Sequence, residues 1–94
     1  MSDIKQRFSL RLLQYQSTAK KIDVRFDRSG ASPKMHIEIW GFDHTLLDKW
    51  YDDVITGSSR TDPASDVVLN IVQFAFGKSM RVLINSRDHL VCER

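Results

Sequence analysis

Apolar and polar residues alternate most cleanly between Lys21 and Asp27. Ile22, Val24 and Phe26 are separated by Asp23 and Arg25, the period-two pattern of a strand with one buried face. Residues 28–33, RSGASP, then supply turn formers. Met35, Ile37 and Ile39 follow, alternating with His36, Glu38 and Trp40. The two runs predict an antiparallel hairpin with Arg25 opposite Glu38 or His36. Upstream, Phe8, Leu10 and Leu12 alternate with Ser9 and Arg11, which predicts a first strand, broken at Leu12-Leu13.

Beyond Gly41 the period changes. Leu46, Leu47, Trp50, Tyr51 and Val54 recur at three- and four-residue spacing, as one face of a helix requires. Asp43 is placed to cap its start and Gly57 its end. Asp62-Pro63 predicts the start of a second helix running to Phe76. That helix is apolar around most of its circumference, with Asp66, Asn70, Gln73 and Gly77 as a narrow polar stripe. Met80, Val82 and Ile84 alternate again, Asn85 to Asp88 make a turn, and Leu90 and Cys92 belong to a last short strand. Ile37, Ile39, Leu46, Leu47 and Val54 are expected in the core. The expected order is β-β-β-α-α-β-β. It predicts an α+β fold: an antiparallel sheet of about five short strands with two helices packed on one face.

With 94 residues, the chain is expected to be a single domain over residues 1–94. No apolar run approaches the length of a membrane span, and the first residues lack the apolar core of a signal peptide. A cytoplasmic protein with no membrane partner is expected. Cys92 is the only cysteine, so no internal disulfide can form, in keeping with a reducing compartment.

Net charge is +2, but its distribution is uneven. Residues 1–34 carry +5, residues 35–66 carry −5 and residues 67–94 carry +2. Such segregation can orient a partner, or it can cancel inside the fold.

Specific chemistries find little support. His36, His44 and His89 are scattered, without the spacing that sets two imidazoles on one helix face, so no metal is expected. Gly77-Lys78-Ser79 resembles the end of a phosphate-binding loop, but it lacks the earlier glycine and follows a helix C-terminus, which disfavours phosphate. No nucleophile–base–orienter pattern stands out, so no catalytic residues, enzyme activity or cofactor are expected.

Two surfaces remain. Asp48, Asp52 and Asp53 oppose the dipole of the expected first helix and lie beside Trp50 and Tyr51, with Trp40 and Arg60 nearby. They are the expected protein-binding site, with aromatics as anchors and acids steering. The alternative is a nucleic-acid regulator using Arg7, Arg11, Lys20, Lys21, Arg25 and Arg28 on the N-terminal strands. Self-association through the apolar helix 63–76 is a further expectation. The order of strand meander, short aromatic helix, glycine-serine loop and second helix resembles that of some phage anti-CRISPR proteins. The resemblance extends to element order alone. It implies a small bacterial or phage inhibitor, immunity or adaptor protein that works by surface complementarity.

Overall fold

A computed structural model describes residues 3–55, 64–77 and 79–94. The elements are α1 (Ile4–Leu13), β1 (Ala19–Asp27), β2 (Lys34–Gly41), β3 (Leu46–Asp53), α2 (Ala64–Phe76), β4 (Arg81–Asn85) and β5 (His89–Glu93). The strands form one antiparallel sheet in the order β3-β2-β1-β5-β4. The fold is α+β, with five strands and two helices as the sequence predicts, but two elements have exchanged type.

The predicted first strand is helix α1. Its buried residues are Phe8 and Leu12, four apart, while Leu10 between them is 56% exposed. Ile4 and Tyr15 pack against the core beside them, completing a stripe at helical spacing. Asp3 caps the start by accepting from the Lys5 amide at 3.0 Å.

The predicted first helix is strand β3, so the element order that resembled anti-CRISPR proteins does not hold. Asp43 caps no helix. It accepts from the Thr45 amide within the β2–β3 turn. In that turn the His44 amide donates to the Gly41 carbonyl, and the Gly41 amide donates to that of Thr45. His44 takes a positive φ of 63°, the left-handed residue that closes a three-residue hairpin loop. Leu46, expected in the core, is 41% exposed.

The β1–β2 hairpin forms as its alternation requires, pairing Val24 with Ile37, Arg25 with His36 and Asp23 with Glu38. Ile22, Val24, Phe26, Met35, Ile37 and Ile39 are buried under the helices. Leu90 and Cys92 of β5 join them. Val68, Val72, Ala75 and Phe76 of α2 close the layer. Gly77 ends α2 with a φ of 85° and donates to the Gln73 carbonyl. The expected cap residues Gly57, Asp62, Pro63 and Lys78 lie outside the described residues, as does Arg60.

Both helices lie on one face of the sheet and pack against each other. No described helix covers the opposite face. That arrangement follows from the strand alternation, because only one face of β1, β2 and β5 carries a continuous apolar surface. No helix among the described residues is long and apolar enough to cross a membrane.

Candidate functional site

The two charged surfaces predicted from the sequence meet each other. Residues 48, 50 and 52 of β3 alternate onto the helix-covered face, since Asp48 pairs with Ile39, Trp50 with Ile37 and Asp52 with Met35. On α1, Arg7 and Arg11 are one turn apart and share a flank. Arg11 donates to Asp48 through Nε at 2.9 Å and Nη2 at 3.0 Å, a two-point contact. Tyr15 donates its hydroxyl to the same carboxylate at 2.8 Å. Arg7 reaches Asp52 at 3.2 Å. The Arg11 guanidinium also lies 4.1 Å from the Trp50 ring centroid, and Trp50 stands 6.1 Å from Phe8, centroid to centroid.

These contacts set the local electrostatics. Hydrogen bonds from Arg11 hold the Asp48 carboxyl below the usual carboxylate range, and Asp48 in turn raises the Tyr15 phenol. Asp48, Asp52 and Trp50 are therefore internal fastenings of α1 to β3, on a strand where a helix face was expected. Asp53 projects to the other face, where Lys34 holds it at 2.5 Å and depresses its pKa.

Of the remaining predicted protein-binding residues, Tyr51 and Trp40 lie on the open face, and Arg60 lies outside the described residues. Tyr51 is 69% exposed and stacks at a tilt beside His36, 5.9 Å between centroids. Trp40 is half-buried, with the Lys21 ammonium 5.5 Å from its ring centroid. The structure thus divides the predicted cluster between two faces of the sheet.

The predicted nucleic-acid set is divided in the same way, and its charges are engaged. Arg7 and Arg11 are spent on β3. Lys20 pairs with Glu93 at 3.4 Å and donates to the Arg94 carbonyl. Arg25 lies 3.7 Å from Asp23, and Arg28 holds Asp88 at 3.0 Å. Across the open face, charges alternate between strands: Lys34 sits between Asp27 and Asp53, and Glu38 between Lys49 and Asp23. A shallow trough of about 840 Å³ lies here, lined by Asp23, Arg25, His36, Glu38, Lys49 and Tyr51 among others. His89 borders it by register with Arg25 and binds Asp23 at 2.8 Å. So balanced a surface offers a phosphate backbone no concentrated positive potential.

Among the described residues, no group of three or more histidine, cysteine or acidic side chains is placed to hold a metal. Cys92 is fully buried, and desolvation pushes its thiol up to about 11, which removes it from nucleophilic chemistry near neutral pH.

The surface that sequence reading missed is the second edge of the sheet. Val82 and Ile84 alternate as though one face were buried, yet all five residues of β4 are exposed. Val82 is 40%, Leu83 52% and Ile84 42% exposed. A register shift between Val82 and Ile84 disrupts the regular alternation against β5. The two edges differ sharply. Edge β3 carries Asp48, Lys49, Asp52 and Asp53 and is clamped by α1, whereas β4 has no charge between Arg81 and Asn85. Charges on an edge strand normally discourage intermolecular pairing; β4 lacks that protection. The signal in the sequence was the three-residue apolar run Val82-Leu83-Ile84, bounded by Arg81 and Asn85. Further exposed apolar residues lie on the helices: Leu10, Leu13 and Phe74, the last 81% exposed. Phe76, by contrast, is buried in the core.

The chain matches no family model, no curated protein and no solved structure. Its functional reading rests on the geometry above.

Proposed function

We propose that this protein is a binding module for another protein, acting by surface complementarity and without catalysis of its own. The observation that carries this reading is the apolar edge β4, uncharged between Arg81 and Asn85 and uncovered by any described strand or helix, in a chain whose opposite edge is guarded by charge and by a helix. A run of three exposed aliphatic residues on an edge strand is an association site. An inhibitor, immunity or adaptor role fits such a module. The basic residues of the nucleic-acid alternative support it less well, because each already has an acidic, carbonyl or aromatic partner within the fold.

The test is a comparison of the intact protein with Leu83→Lys in affinity capture from its native host. Circular dichroism should be unchanged, because Leu83 is half exposed. The partner that co-purifies with the intact protein should be lost with the variant. Equal recovery of every co-purifying protein by both would defeat the reading, as would salt-sensitive retention of nucleic acid alone.

A further inference from the structure

We infer that β4 takes up an extended segment of its partner as a sixth strand, and that this segment is apolar in its middle and acidic at its ends. The inference rests on the protein-binding reading and specifies the partner's chemistry.

The backbone determines the shape of the occupant. Among the described residues, β4 ends the sheet and its only strand neighbour is β5. The amides and carbonyls on its outer side therefore have no strand to bond. A strand edge of this kind is completed by another extended chain, whose main-chain hydrogen bonds supply much of the affinity and whose alternate side chains supply specificity. Val82, Leu83 and Ile84 offer that chain an apolar centre.

The flanking charges determine which chain. Arg81 opens β4 and Arg87 follows it, and both are exposed. The described acids beside them in register or sequence already have partners. Glu93, across from Arg81 in the register, pairs with Lys20, and Asp88, next to Arg87, pairs with Arg28. Asp66 is held on the α2 side by Asn85 at 3.3 Å. Among the described residues, neither Arg81 nor Arg87 has an ion-pair partner. They frame the apolar centre with two positive charges that no described acid pairs. A second copy of this chain, paired antiparallel through the same strand, would bring Arg81 of each copy near Arg87 of the other. Like charges so placed oppose pairing. A partner segment with carboxylates at its two ends would meet both arginines with opposite charge.

The experiment uses the full chain, isotopically labelled, and three synthetic peptides followed by nuclear magnetic resonance. The first is acetyl-Glu-Thr-Ile-Thr-Val-Thr-Glu-amide. The second replaces both terminal glutamates by lysine. The third is the first with alternate backbone nitrogens methylated, which removes the donors an added strand needs. The acidic peptide should shift the amide signals of residues 81–85. The lysine peptide should bind about fivefold more weakly or worse at low salt, and the methylated peptide should not bind. Arg81→Glu together with Arg87→Glu should reverse the preference between the first two. These exposed substitutions leave the core intact, so folding is not at stake.

Equal binding of acidic and basic peptides overturns the inferred charge selection. Shifts confined to the open face or the helices, or no shift at millimolar peptide, overturn strand addition. A stable homodimer by light scattering that Leu83→Lys abolishes would replace the inferred occupant with a second copy. If no peptide binds at β4 while host-protein capture still depends on Leu83, strand addition falls and the protein-binding reading stands.

Discussion

Arg11 and Asp48 meet through two parallel hydrogen bonds of 2.9 and 3.0 Å, joining the helix that begins the fold to the edge strand β3. Asp48 also accepts from Tyr15 at 2.8 Å and from the Lys49 amide at 2.8 Å. Replacing it by asparagine should lower unfolding stability by about 1–2 kcal/mol. Hydrogen bonds to charged groups contribute roughly 1.5–3 kcal/mol, discounted here because the Arg11 side chain is 42% exposed. Arg11→Ala should cost a similar amount, since it also uncovers Trp50. Urea denaturation of both single variants and the double variant should give a coupling of about 1 kcal/mol. Strict additivity would show that the contact contributes little.

The same cluster makes stability depend on pH at both ends. Asp48 has a depressed folded pKa, so its contribution is present above the ordinary carboxylate value of about 3.9. It is lost as pH falls through the lower folded value. Tyr15 has a raised folded pKa, so its contribution is present below about 10 and is lost as pH rises through the folded value. In acid titrations followed by circular dichroism, Asp48→Asn should flatten the acid decline of stability relative to the intact protein. Tyr15→Phe should flatten the alkaline decline. Parallel curves for intact protein and variants would remove this cluster as the cause.

Leu10 and Leu12 separate the helical from the extended reading of the first segment. In a strand they would share a face; in α1 they do not. Leu12 is fully buried, so Leu12→Ala should cost about 2–5 kcal/mol. Leu10→Ala should stay within about 0.5 kcal/mol of the intact protein. Comparable losses at both positions would contradict the helix.

Cys92 should be chemically silent in the folded protein. Its thiol is buried and raised to about 11, and the thiolate is the reactive form. At pH 8, a colorimetric disulfide reagent should modify it only at the rate of unfolding, and rapidly in denaturant. Immediate reaction of the native protein would place Cys92 at the surface.

The β1–β2 hairpin and the buried Leu90 and Cys92 of β5 could be read directly, because each strand presents a continuous apolar face. The end of α2 was also legible, but not which of its apolar residues face the core: Phe74 is exposed and Phe76 buried. Even α1 was legible in principle, through Ile4, Phe8, Leu12 and Tyr15 at helical spacing with Asp3 as cap. The shorter run Phe8-Leu10-Leu12 fits either period, and only burial shows that Leu10 is turned outward.

Strand β3 was different in kind. Its covered face carries Asp48, Trp50 and Asp52, so its inward positions look polar and its aromatic and aliphatic residues fall at helical spacing. Nothing local shows that carboxylates face inward there; they do so because Arg7 and Arg11, more than 35 residues earlier in the chain, lie above them. The excess of +5 in the first segment and of −5 in the second was plain in the sequence. Whether those charges would steer partners or bind each other was decided by tertiary structure, which brings α1 over β3. The same holds for β4. The sequence specified an apolar strand, but its place at the sheet edge, away from the covered centre, left Val82, Leu83 and Ile84 exposed.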